Sequence, residues 1–190
     1  MSALDKALTP LGRLLRNRRA GEEHSVRRVP ALASATAIEF SSAAFAHGQP
    51  IPVRHAGKGR GPNLSPPFQW GPLPEATRQL LLVMEDIDVP LSRPILHFVA
   101  LFSPDLKGFA EGALTPDNTQ VRYVPVVMGR TGYQGPRALS GHGAHRYGFH
   151  LYALDEAIPA DTPLPNCEAL LQAVTGHVVA TGFFEGTQQG

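Results

Sequence analysis

Two aspartates and two histidines stand where apolar runs of this 190-residue chain give way to turns: Asp86, Asp88, His97 and His145. Continuing the alternation of residues 79–88 puts Leu80, Leu82, Met84, Asp86 and Asp88 on one side of a strand, so two carboxylates end a face that otherwise reads as core. Buried carboxylates need partners or stay protonated. His145 begins a second alternating stretch, with Tyr147, Phe149 and Leu151 on its side and Arg146, Gly148, His150 and Tyr152 on the other. An imidazole there is partly desolvated at the mouth of a core. Groups so placed can move protons on a small molecule or ligate a metal ion. Each also has a plainer reading, in which the aspartates turn to solvent and the histidines are hydrogen-bonded structural groups.

The elements that must carry these residues are mostly short strands. Residues 79–88 are nearly continuous apolar sequence, as expected of a strand covered on both faces, and residues 95–102 form another buried strand with His97 near its start. Shorter strands are predicted at 36–40 and 50–54, and residues 64–70 are extended, with the only tryptophan, Trp70, buried in the core. The run Gly57-Lys58-Gly59-Arg60-Gly61-Pro62-Asn63 resembles a phosphate cradle. It lacks the trailing lysine–hydroxyl pair and the following helix, because Pro66 and Pro67 block a helix start, and so reads as a surface loop. A second glycine-rich loop, residues 132–143, leads into the strand that begins at His145. Asn166 caps a helix over residues 167–174, Gly176 ends it, and residues 177–184 form a last strand.

Residues 1–30 differ in pattern from the rest of the chain and read as a helical extension and linker, with a domain over residues 31–190. Leu4, Leu8, Leu11, Leu14 and Leu15 recur at helical spacing, interrupted by Pro10, which predicts a short helix or two. Those leucines need cover, on their own domain or across a homodimer interface. A basic transit peptide is the alternative for this segment.

Composition narrows the function classes. With 17 basic and 16 acidic side chains the net charge of +1 gives no general reason to expect nucleic acid or a membrane surface as partner. No apolar run is long enough to span a bilayer. The single cysteine, Cys167, excludes an intrachain disulfide, which favours a reducing, cytoplasmic compartment. Ser65 and Ser140 lie in no nucleophile elbow, and Cys167 has no base beside it in sequence.

Taken in order, Leu64 to Trp70, Asp86-Ile87-Asp88-Val89-Pro90, His97-Phe98, Gly132-Tyr133-Gln134-Gly135-Pro136 and Gly143-Ala144-His145-Arg146-Tyr147 resemble the signature regions of the phosphatidylethanolamine-binding protein family, which includes Raf kinase inhibitor-like proteins. The resemblance implies an antiparallel Greek-key β-sandwich with a few short helices and a small pocket at one end that accepts phosphate, acetate or a phospholipid head group. It implies site roles for Asp86, Asp88, His97 and His145, with Tyr133, Gly135 and Tyr147 in the pocket. Two departures from the family pattern stand out: Ile87 replaces a proline, and Ala138-Leu139 replace a Pro-Pro at the rim, which should loosen the mouth.

An anion beside two aspartates would be repelled unless the histidines or the carboxylates carry protons, so binding and protonation should be linked. Backbone N–H groups near Gly135 and residues 141–143 would supply further contacts. Metal ligation by His97, His142, His145 and an aspartate is the competing use, although no helical His pair or thiolate set is present, and the preferred reading has no metal and no cofactor. Two functions therefore stand side by side. One is a module that binds a small anionic or phosphorylated ligand and modulates a protein partner such as a kinase or protease. The other is a cofactor-free enzyme using the same pocket for dehydration or cyclisation of a small organic, natural-product-like substrate.

Overall fold

The computed structural model describes residues 3–190, with side chains from Asp5 onward, so Met1, Ser2 and the side chain of Leu4 in the predicted helical stripe lie outside the described residues. After helix α1 (Ala3–Leu15) come strands β1 (Phe40–Ser41), β2 (Phe68–Trp70), β3 (Gln79–Asp86), β4 (Ile95–Phe102), β5 (Gly108–Phe109), β6 (Val121–Tyr123) and β7 (Ala144–Leu154). Helix α2 (Cys167–Val174) and strand β8 (Val178–Gln189) close the chain. The strands form two antiparallel sheets, ordered β1-β2-β5 and β6-β4-β3-β7-β8.

Strand β3 lies at the centre of the larger sheet, and its continuous apolar sequence follows from burial on both sides. Leu80, Leu82 and Met84 face the smaller sheet together with Phe149, Phe68, Phe40 and Phe184. Within that layer Phe149 stacks on Phe184 at 4.9 Å and 11°. Leu81 and Val83 face the opposite layer, against Leu170 and Val174 of α2. Each fully buried leucine contributes about 1.5–3 kcal/mol by leaving water. The Asn166 side chain caps α2, accepting from Ala169 N–H at 3.0 Å, as its sequence predicts.

Several short predictions are corrected. Instead of a strand over 36–40 there is a single bridge from Ala37 to Thr181, with strand pairing only at Phe40–Ser41. Over 50–54 there is one bridge at Pro50 and then a 3-10 turn, Val53–His55, because Pro50 and Pro52 offer no N–H to a ladder. Trp70 is half-buried at the core's edge, against Phe102 and Phe109, rather than inside it. Helix α1 runs unbroken through Pro10.

The segment between α1 and β1 crosses the larger sheet on the α2 side in three 3-10 turns, Glu22–His24, Val26–Arg28 and Pro30–Leu32. It is tied down by N–H groups of Ala20 and Gly21, which donate to the carbonyls of Val89 and Ile87. The Ser25 hydroxyl and the Val26 N–H donate to the carboxylate of Glu85, which is buried on that face beside His150.

Candidate functional site

At the end of the larger sheet where β3 finishes and β4 and β7 begin, the chain forms an open cavity of about 810 Å³. Its position follows from a register irregularity. Met84 pairs with Phe98 but Glu85 pairs with Leu96, so His97 is the unpaired residue of a β-bulge. A bulge re-aims its side chain and ends regular pairing. His97 thus joins the cavity wall, where its Nδ1–H donates to the Gln134 carbonyl at 2.7 Å. Burial pushes the His97 pKa below its ordinary value, and this outweighs the Asp86 charge and the Gln134 carbonyl, which act in the other direction.

Asp86, the last residue of β3, also lines the cavity and accepts from His145 Nδ1 at 2.8 Å. His145 is almost fully buried and is not part of the wall; it stands behind Asp86. Tyr147 is likewise enclosed rather than lining, with its ring edge-on to His97 at 5.2 Å. Its pKa is raised well above the usual value by burial and then by the Asp86 charge. Tyr133, Gly135, Ala138 and Leu139 line the cavity.

Asp88 does not share the site. Its N–H donates to Asp86 Oδ1 at 2.9 Å, a local turn that breaks the strand alternation. Its carboxylate is instead gripped in two-pronged fashion by Arg146, at 2.9 and 3.0 Å, and contacted by Arg19 at 3.1 Å. Burial alone would raise the Asp88 pKa, but the Arg146 side chain and N–H, helped by Arg19, hold it below the ordinary value. Of the two aspartates expected around one cavity, the structure puts Asp86 in the wall and Asp88 in an ion pair beside it.

The wall contains groups that the sequence pattern did not point to. The run Gly57–Asn63 is no detached surface loop: Gly57, Lys58, Arg60 and Asn63 all line the cavity. Gly57 N–H donates to the Pro136 carbonyl at 2.9 Å, and Asn63 receives the Gly135 N–H at 2.8 Å while donating to the Tyr133 carbonyl. That exchange consumes the Gly135 N–H expected to face an anion. It also needs close backbone approach, since a Cβ on Gly135 would sit 2.1 Å from the His55 carbonyl oxygen. Arg130 and Arg137 complete the basic lining. The cationic character of this run was visible in its sequence; its place was not.

Helix α1 supplies the remaining side. Asp5 and Leu8 line the cavity, and Arg60 Nη2 bridges Asp5 Oδ1 at 3.1 Å and Ser140 Oγ at 2.6 Å. Gly12 lies so close to the 140–142 turn that a Cβ there would fall 2.0 Å from the Ser140 carbonyl oxygen. No group of three or more His, Cys, Asp or Glu arranged to hold a metal ion occurs among the described residues.

The family model for phosphatidylethanolamine-binding protein matches residues 41–189. The chain belongs to that family. A Chlamydia muridarum relative called UPF0098 protein is 33% identical over 159 residues, covering 80% of this chain and 99% of its own length. A Mycobacterium tuberculosis relative, LppC, is 35% identical over 156 residues, covering 80% of this chain and 75% of its own. The solved phosphatidylethanolamine-binding protein homologue of Chlamydia trachomatis superposes with a TM-score of 0.72 at 30% identity, over 82% of this chain and 99% of that one. Escherichia coli YbcL shares the fold, with a TM-score of 0.73 at 20% identity, over 80% of this chain and 98% of that one. No helix among the described residues is long and apolar enough to cross a membrane.

Against this family background the cavity is a composite. Asp86, His97, Tyr133 and Gly135 fall within the stretch the family model matches, whereas Asp5 and Leu8 precede it.

Proposed function

We propose that this phosphatidylethanolamine-binding protein family member binds a small anionic or phosphorylated ligand in the cavity between the Gly57–Asn63 loop, His97 and residues 133–140. The observation that carries this reading is the basic lining: Lys58, Arg60, Arg130 and Arg137 stand against the carboxylates of Asp5 and Asp86. Guanidinium groups present planar pairs of donors suited to phosphate or carboxylate oxygens. Attraction of the anion then does not depend on protonated histidines. Asp86 repels an anion directly, and its contact with His145 directs part of its charge away from the cavity. His97, held neutral by burial, takes up a proton when an anion arrives beside it.

The test is calorimetry with inorganic phosphate on wild type and Arg60→Ala. Loss of about tenfold or more in affinity supports the assignment, given the usual worth of a charge-assisted hydrogen bond. Unchanged affinity would remove Arg60 from the site, and no binding by the wild type would remove the anion reading. Modulation of a protein partner such as a kinase or protease, and residence in the cytoplasm, would follow as further proposals only once a ligand is found.

A further inference from the structure

A second cavity, of about 540 Å³, lies at the other end of the larger sheet, where β2 ends, β3 begins and β4 passes into β5. Trp70 and Thr77 belong to its wall. The Trp70 indole Nε1 and the Thr77 hydroxyl are enclosed, and neither has a hydrogen-bond partner among the described residues. Thr77 is 8% exposed, so open solvent does not satisfy it. A buried polar group left unpaired costs stability, and most such groups in native proteins are paired. Two of them in one cavity wall point to a partner that enters from the cavity.

The chemistry of the wall defines that partner. An indole N–H only donates and a hydroxyl can donate, so one acceptor oxygen answers both. Lys107 adds a cation: it is exposed, and its ammonium makes one long contact, to the Pro104 carbonyl at 3.4 Å. The opposite charge in the wall, Asp105, is already engaged, accepting from the Ser103 hydroxyl at 2.8 Å. The Pro74 carbonyl is taken as well, by the Thr77 N–H at 2.9 Å. The unanswered groups are thus donors and a positive charge. Leu73 and Pro104, both half-buried, give the wall an apolar side.

We propose that this second cavity binds a small organic carboxylate, with one carboxylate oxygen between Trp70 Nε1–H and the Thr77 hydroxyl, Lys107 balancing the charge, and an aliphatic group against Leu73 and Pro104. Residues 71–74 must shift for the oxygen to reach the enclosed pair. Little resists this, because Pro72 and Pro74 have no N–H and the loop is tied at its start by Gly71 N–H donating to the Glu39 carbonyl. Thr77 can also present its hydroxyl by turning between staggered rotamers. A free carboxylic acid and the C-terminus of a peptide offer the same chemistry. The site is separate from the cavity lined by Asp86 and His97 and does not rest on phosphate binding there.

Trp70 is the only tryptophan of the chain, so intrinsic fluorescence reads this cavity directly. The experiment is titration of the full chain with 4-methylpentanoate, with its amide 4-methylpentanamide, and with N-acetylleucine as the mimic of a peptide C-terminus. The expected result is a saturable change in emission with the carboxylates and none with the amide at the same concentrations. Lys107→Ala and Thr77→Val should each weaken the binding about tenfold, while circular dichroism and phosphate calorimetry match wild type. Tighter binding of N-acetylleucine assigns the site to peptide C-termini, and tighter binding of 4-methylpentanoate assigns it to free acids. Three outcomes would overturn the proposal: no saturable change with either carboxylate, equal binding of the amide, or affinity unaffected by Thr77→Val. Any of these alongside intact phosphate binding would leave the first cavity's assignment standing.

Discussion

Nδ1 of His142 lies 2.7 Å from Nε2 of His145, and through this contact the Asp86 carboxylate is linked to the end of helix α1. On one side His145 Nδ1 meets Asp86 Oδ2 at 2.8 Å; on the other, His142 Nε2 meets the carbonyl oxygens of Leu15 and Arg18 at 3.0 and 2.9 Å. Carbonyls only accept, so His142 Nε2 carries a hydrogen. This series of contacts couples the cavity wall to the end of the helix through side chains alone.

Removal of His142 should therefore release the helix. His142→Ala leaves the buried His145 Nε2 without its partner and removes the imidazole donor from the Leu15 and Arg18 carbonyls, of which Leu15 keeps the Arg18 N–H, at a cost of about 1–3 kcal/mol. Brief trypsin treatment followed by mass spectrometry should show faster cleavage between Arg13 and Arg19 than in wild type. An unchanged rate would mean that the Gly12 packing and the Asp5–Arg60 pair hold α1 without the histidine chain.

The two aspartates should behave differently when altered. Asp88→Ala strips partners from Arg146, its N–H included, and from Arg19, and because both guanidinium groups stay partly solvated it should destabilise the fold by about 1–3 kcal/mol, read by urea unfolding. Because its folded pKa is depressed, the Asp88 contribution is fully present above the ordinary 3.8 and is lost as pH falls through the lower folded value. Asp86→Asn should instead raise phosphate affinity, by removing a negative charge from the wall. Equal effects of the two changes on phosphate binding would contradict the separation of their roles.

That separation marks the limit of what the sequence conveys. The long strands and α2 are legible because alternation, a double-sided apolar run and an Asn cap are local signals. The carriers of Asp86, His97 and His145 could therefore be placed in advance. Asp88 leaves the face its alternation predicted because a turn through the Asp86 carboxylate interrupts the strand. The Gly57–Asn63 loop escaped because its place depends on a hydrogen-bond exchange with residues 133–136, far along the chain. Of the two covers that the helical spacing of Leu11 and Leu14 called for, their own domain supplies none, since the structure buries Asp5 and Gly12 instead.

Stability near neutrality should report on His97. Its folded pKa is lowered, so between that value and the unfolded 6.5 the unfolded chain binds more protons. Stability then rises with pH across that window and falls as pH drops below about 6.5. Urea unfolding at several pH values should give a steeper acid-side decline for wild type than for His97→Asn. Added phosphate should flatten the wild-type decline if the anion stabilises the protonated imidazole.

Asp5 offers the sharpest test of the composite cavity, because it holds Arg60 from outside the family-matched stretch. A ligand anion and Asp5 compete for the same guanidinium, so Asp5→Asn should increase phosphate affinity while Arg60→Ala decreases it. The expected gain is about threefold to tenfold, the usual range for a partly exposed ion pair of up to about 1 kcal/mol together with relief of repulsion. In the double variant Asp5→Asn/Arg60→Ala the gain should shrink, since much of the Asp5 effect passes through Arg60. Additive effects would show that Asp5 acts on the ligand by charge alone, and a loss of affinity in Asp5→Asn would mean that the carboxylate organises the site instead of competing with its ligand.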